Sequence, residues 1–320
     1  MTQTAMPHIG TPLFYTVFFV VVLAMIFVDM LSLKRQGAHE VSAREALGWT
    51  LIWIVAASVF GAGLWWSLAA HFGTAVATAR TTEYFTGYVL EKSLAIDNIF
   101  VFLLIFKHFS IPPQYQRRVL LYGVFGAIVL RVLMIMLGAA LVARFSWILY
   151  LFGVFLVYTG VRMLLPGAEH ESDPGQNPVL RFVRRHIPLS DSLDGERFLT
   201  LRNGARCATP LLLVLIMIEL SDVIFAVDSI PAVFAVTLDP FIVLTSNIFA
   251  ILGLRAMYFL LAGIANRIHH LDTGLALVLV FIGSEMLLAD IWHVPTLWSL
   301  GVIFLLVGGA VAASLLFPRK

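Results

Sequence analysis

Largely apolar stretches of about 20 residues, long enough to cross a bilayer as helices, recur along this chain from end to end. Between their polar breaks they place nine spans near 12–33, 48–70, 82–107, 118–142, 147–165, 208–236, 241–264, 273–291 and 296–317. In hydrocarbon every backbone N–H and C=O must find its partner within the protein, so spans of this length are read as α-helices. Composition agrees: of 320 residues 60% are apolar and 12% charged, with mean hydropathy +0.93. Soluble domains carry about 25% charged residues. The expected fold class is therefore all-α, a polytopic membrane protein whose partner is the lipid bilayer.

Charge between the spans sets the expected orientation. With the N-terminus outside, fifteen basic residues fall on cytoplasmic segments, among them Lys34, Arg35, Arg117, Arg118, Arg184, Arg185 and Arg267. Only Arg80 and Arg144 fall outside, in keeping with the positive-inside rule. Met1 to His8 carry no Lys or Arg, so the first apolar run is read as a retained helix rather than a signal peptide. The expected location is a bacterial inner membrane, multi-pass, with the C-terminus cytoplasmic. A formal net charge of +2 and no basic run argue against a nucleic-acid partner. The sole cysteine, Cys207, rules out an intrachain disulfide or a thiolate cluster.

Self-comparison reveals a repeat. Leu94-Ala-Ile-Asp97-Asn98-Ile echoes Phe225-Ala-Val-Asp228-Ser229-Ile, and six residues before each Asp stand Glu91 and Asp222. Phe125-Gly-Ala-Ile-Val-Leu-Arg131 matches Phe249-Ala-Ile-Leu-Gly-Leu-Arg255, and Gly160-Val-Arg-Met163 matches Gly283-Ser-Glu-Met286. Spans three to five and six to eight are thus two copies of a three-helix unit. An odd number of spans per copy makes the second insert upside down, an arrangement transporters use with the substrate between the copies. The chain divides into 1–72 (two helices), 82–165 (first unit), 166–207 (cytoplasmic connection), 208–291 (second, inverted unit) and 296–320 (last helix and tail). Within the connection, Asn203-Gly204 is suited to the turn of a short hairpin.

The chemistry lies in charges inside the spans. Glu91, Asp97, Glu219, Asp222 and Asp228 all fall well within spans three and six. At roughly 2.5–3.5 kcal/mol for each ionised group near mid-bilayer, such residues are protonated, paired or cation-bound. The basic residues expected to form ion pairs with them are Lys92, Arg131 and Arg255, leaving a formal excess of two negative charges that one divalent cation would cancel. Glu219 and Asp222 are three apart on one helix face; Glu91 and Asn98, and Asp222 and Ser229, are each seven apart and share a face as well. Pro231 favours a local break after Asp228. With Ser93, Asn98, Ser221, Ser229 and Asn247 as supporting donors, the set is oxygen-rich and suits Mg2+, Ca2+ or Mn2+. Met217 is read as packing, and Asp29 and Arg162 as side chains that snorkel from span ends. Glu285 fits either an entry role or simple solvation.

The segments Glu91-Lys-Ser-Leu-Ala-Ile-Asp-Asn98 and Glu219-Leu-Ser-Asp-Val-Ile-Phe-Ala-Val-Asp-Ser-Ile-Pro231 resemble the TerC family, most closely its Alx branch. Asp239-Pro-Phe-Ile-Val-Leu-Thr-Ser-Asn247 and the arginine stretches extend the likeness over nearly the whole chain. The resemblance implies manganese export from the cytoplasm, with Mn2+ as transported substrate, and a link to tellurite resistance. It places the family's acidic residues on Glu91, Asp97, Glu219, Asp222 and Asp228. The chain departs at Glu285, where the family often has Lys. The expected function is a secondary exporter of a divalent cation with protons as counter-ion, without enzymatic activity or a tightly bound organic cofactor. The alternatives are Ca2+ as the cargo, or a non-transporting assembly or metal- or redox-stress sensor. An aspartyl protease lacks support because no Gly-x-Gly-Asp motif is present, and all nine His lie in loops or near span ends, away from a mid-membrane haem site.

Overall fold

A computed structural model describes residues 9–36, 41–145, 147–165, 188, 190, 193–202, 205–262, 270–288, 291 and 294–316. Ten helices fill it: α1 Pro12–Gln36, α2 Ala43–Phe72, α3 Thr74–His108, α4 Pro113–Arg144, α5 Ile148–Leu164, α6 Pro210–Val236, α7 Pro240–Leu252, α8 Leu254–Ala262, α9 Leu271–Leu288 and α10 Thr296–Leu316. A small hairpin pairs β1 Leu199–Arg202 antiparallel with β2 Ala205–Ala208, Leu199 opposite Ala208 and Arg202 opposite Ala205. Helices thus stand on all nine expected segments. Among the described residues α1, α2, α4, α6 and α10 are long and apolar enough to cross a membrane, and α7 with α8 is so when the bent pair is taken together. The long α3 carries Glu91, Lys92 and Asp97 in its second half, and α5 and α9 have 17 and 18 residues.

Local chemistry explains the ends. Ser42 Oγ caps α2 by accepting from Glu45 N. Gly73, at φ +86°, is the sole residue between α2 and α3, and a conformation that disfavours a Cβ lets the chain reverse there. Asp239 caps α7 by accepting from Phe241 N at 3.0 Å and Ile242 N at 3.4 Å, with Pro240 in the first turn.

Burial then sorts the helices. Every residue of α7 from Phe241 to Leu252 is buried, as expected of a helix apolar on all sides at the centre of a bundle. It packs against α3 and α4. Around it Phe18, Phe60, Tyr84 and Phe249 join α1, α2, α3 and α7, with Phe60 and Phe249 4.8 Å apart between ring centroids. By contrast Leu13, Trp66 and Leu305 on α1, α2 and α10 are 70%, 76% and 76% exposed, an apolar exterior matched to acyl chains rather than water.

α5 and α9 pack through glycines. A Cβ on Gly160 would lie 2.6 Å from Ala276 O and one on Gly283 2.8 Å from Gly153 O, so only glycine permits this approach. Gly160 also meets Val280, and its counterpart Gly283 meets Val157. In that register Ala276 and Val280 answer Gly153 and Val157, so matched residues exchange partners as a two-fold axis between antiparallel helices requires. At the level of whole helices, α3 packs on α7 and α6 on α4, the pairing such an exchange would give.

The expected break at Pro231 does not occur: α6 continues through it to Val236. Losing one backbone donor leaves one carbonyl bond unmade, which a packed helix tolerates. The break falls at Gly253 instead, where α7 and α8 meet at 42°. There Lys92 Nζ, from α3, donates to Ala250 O at 3.0 Å.

Candidate metal-transport site

Glu91 lies halfway along α3 and Arg131 beyond the midpoint of α4; their side chains form an ion pair with each only 1% exposed. Arg131 Nη1 also donates to Ser229 Oγ of α6 and Asn247 Oδ1 of α7, each at 2.9 Å. Its Nη2 reaches Asp222 Oδ1 of α6 at 3.4 Å. Asn247 is oriented by its own helix: Nδ2 donates to Val243 O at 3.1 Å, which turns Oδ1 to the centre. Helical spacing brings Asp222 and Ser229 to the same point. Four oxygens from three helices therefore converge on one guanidinium in the middle of the bundle.

Two buried carboxylate oxygens at this centre, Glu91 Oε2 and Asp222 Oδ2, have no hydrogen-bond partner, and neither has the buried Glu219 Oε2. Glu219 stands one turn before Asp222, its carboxylate against the bare Cα of Gly126 on α4. Two carboxylates, Glu91 and Asp222, share one guanidinium, a formal excess of one negative charge if both are ionised, and Glu219 adds a further acid beside Asp222. An orphaned anionic oxygen out of water draws a proton or a cation.

Beside the guanidinium lies a cavity of about 260 Å³ that Glu91, Asn98, Arg131 and Ser229 line in common with α5 and α9. Glu91 and Asn98, seven residues apart on α3, both face it. Its far wall comprises Thr159, Arg162 and Met163, near the C-terminal end of α5, and Leu275 and Leu279, in the N-terminal half of α9. At the opposite end of the bundle a second buried network joins α3 to the α6–α7 junction. Arg80 Nη1 donates to Glu83 Oε2 at 2.8 Å, Thr237 donates to the same oxygen at 2.6 Å, and Ile9 N donates to Asp239 Oδ2 at 3.0 Å.

Several sequence expectations change. Among the described residues Arg255, matched to Arg131 in the repeat, pairs with none of Glu91, Glu219 and Asp222; its partner is buried Asp29 of α1, 226 residues away in sequence. Asp29 is therefore paired inside the bundle and does not snorkel. Lys92 makes no ion pair among the described residues and sits instead at the carbonyl end of α7. Ser93 Oγ and Ser221 Oγ donate to Val89 O and Met217 O of their own helices, each at 2.8 Å, and neither lines the cavity. Met217 packs in an apolar cluster. Glu285 accepts from Ser299 of α10 at 2.7 Å, away from the centre. Asp97 and Asp228 lie on the helical backbones of α3 and α6, but their side chains fall outside the described residues. Among the described residues no three His, Cys, Asp or Glu side chains stand together as a metal cluster. Gly126, Arg162 and Met163 stand within the repeated segments of the sequence but carry no ligand pattern there, and Thr159 carries no signal at all; Arg162, expected to snorkel, lines the cavity instead.

A polytopic α-helical bundle with an apolar exterior and a buried, charge-lined centre defines an integral membrane protein. The chain belongs to the integral membrane protein TerC family, whose profile matches residues 76–320. A protein of Escherichia coli (strain K12) provisionally named membrane-bound redox modulator Alx is 54% identical over 299 residues, 93% of each chain. An uncharacterized membrane protein of Myxococcus xanthus is 46% identical over 313 residues, 98% of this chain and 95% of its own. The chloroplastic thylakoid membrane protein TERC of Arabidopsis thaliana is 45% identical over 260 residues, 78% of this chain and 67% of its own. No solved structure matches the chain.

Proposed function

We propose that this protein is a secondary transporter that exports a divalent cation, foremost Mn2+, from the cytoplasm of a bacterium through the centre built on Glu91, Glu219 and Asp222. The observation that carries it is the convergence of oxygens from Glu91, Asp222, Ser229 and Asn247 at one buried point, where the second carboxylate oxygens of Glu91 and Asp222 have no hydrogen-bond partner and Glu219, one turn before Asp222, adds a third such oxygen. Hard oxygen donors in that number suit Mg2+, Ca2+ and Mn2+. Manganese is preferred because of the likeness to the TerC family's acidic motifs, and because the Met163 thioether in the cavity wall suits Mn2+ better than Ca2+. Protons are the proposed counter-ion, since carboxylates bind either species. With the N-terminus outside, the cavity side of the bundle faces the cytoplasm and the Arg80–Glu83 network faces outward.

Purified protein in liposomes, offered Mn2+, Ca2+, Mg2+ and Zn2+ under an imposed pH gradient, tests this. Mn2+ flux is expected, at least about tenfold lower in Asp222→Asn because one ligand charge is removed. Absence of flux for every cation in the wild type would refute transport. The relatives' name supports a second reading, a redox-related role. With Cys207 alone, this chain has no intrachain dithiol to serve it, so that role would act through a partner or through metal supply.

A further inference from the structure

We propose that Arg131 is a tethered stand-in for the transported cation, occupying the site when it is empty and swinging into the adjacent cavity when metal arrives. The inference rests on the transport reading above. Its first support is the mismatch between the guanidinium and its surroundings. Nη1 carries two protons yet stands within bonding reach of three oxygens, from Glu91, Ser229 and Asn247, while Nη2 takes Asp222. A guanidinium matches carboxylates through a flat, two-pronged fork. Oxygens approaching from α3, α6 and α7 at once surround a point instead, as ligands do around a divalent ion.

The second support is exclusion. Glu91 and Asp222 are held by the two nitrogens of the same guanidinium, so a metal gathering both carboxylates takes the place where those nitrogens lie. The third support is room. Arg131 itself lines the cavity of about 260 Å³, whose wall offers Asn98, Tyr158 and Thr159 as acceptors for a displaced guanidinium. At about 30 Å³ per water, that space holds several waters and hence a guanidinium group. Arginine also suits the part because it stays charged at any physiological pH, whereas a buried lysine can lose its proton. The consequence is that the empty carrier returns with Glu91 and Asp222 both held by one guanidinium charge, a net of −1 in place of −2.

The test separates two transport modes in liposomes: net Mn2+ efflux into metal-free buffer, which requires return of the empty carrier, and exchange of internal for external Mn2+, which does not. In Arg131→Gln, equilibrium Mn2+ binding is expected to tighten about tenfold because the built-in competitor is gone. Exchange is expected to stay within about twofold of wild type while net efflux falls at least about tenfold. Unchanged or weaker binding, or an equal fall in both modes, overturns the proposal. If the Gln variant is not recovered folded, Arg131→Lys decides. Its ammonium keeps the charge but cannot bridge both carboxylates, so net efflux falls with exchange intact, and loss of both modes or of neither is contrary to the proposal. A wild type that transports Mn2+ in neither mode refutes the transport reading instead, and the binding comparison still stands by itself.

Discussion

At the scale of single residues, the membrane interior makes two contacts unusually sensitive. The Glu219 carboxylate rests where a Cβ on residue 126 would be, so Gly126→Ala must push that carboxylate aside. Mn2+ flux is expected to fall at least about tenfold with little change in thermal stability, because Glu219 moves along a flexible side chain rather than a backbone. Flux measured beside a melting curve in detergent checks this; a fall in both would point to general misfolding. The Arg255–Asp29 pair tests the opposite case, a charge with no place in the site. Arg255→Leu leaves Asp29 buried without its ion-pair partner and is expected to cost about 3–5 kcal/mol. The double change Arg255→Leu with Asp29→Leu should recover most of it, as replacing a whole buried pair by apolar side chains often does. Equal destabilisation in single and double variants, read by thermal unfolding, would show the two residues to be independent.

Among the elements, the broken crossing α7–α8 and the α5–α9 pair carry the architecture. At the break the Lys92 ammonium meets Ala250 O, which puts a positive charge at the negative end of α7. Lys92→Met keeps length and removes the charge, with an expected loss of about 1–2 kcal/mol for a buried geometry of this kind. A melting temperature unchanged from wild type would remove Lys92 from that role. The expected break at Pro231 failed for an instructive reason. Proline removes one donor without changing what surrounds the helix, whereas Gly253 lets Trp53 and Lys92 approach the backbone itself. For α5 and α9, the repeat marked Gly160 and Gly283 as counterparts, but nothing in their spacing said that they would face each other's helix.

On the scale of the whole molecule, the bundle is two-sided. The cavity reaches the guanidinium from the C-terminal end of α5 and the N-terminal half of α9, while Arg80, Glu83, Thr237 and Asp239 fill the other end. In the proposed orientation, with the N-terminus outside, the cavity end would be the cytoplasmic one. Thr159→Cys in a Cys207→Ser background is expected to react with a membrane-impermeant thiol reagent in inside-out vesicles and not in right-side-out ones. Labelling with the reverse sidedness would invert the orientation. The sequence alone located the helices and the acids among them, because the length that spans a bilayer and the cost of burying a charge are properties of short segments. It could not say which charge meets which. Arg131 and Arg255 occupy matched places in two copies of one motif, yet the first gathers Glu91, Asp222, Ser229 and Asn247 while the second turns to Asp29 on a helix outside the repeat. An ion pair forms with whatever tertiary packing brings within reach, and the periodicity that revealed both arginines holds no record of that neighbour.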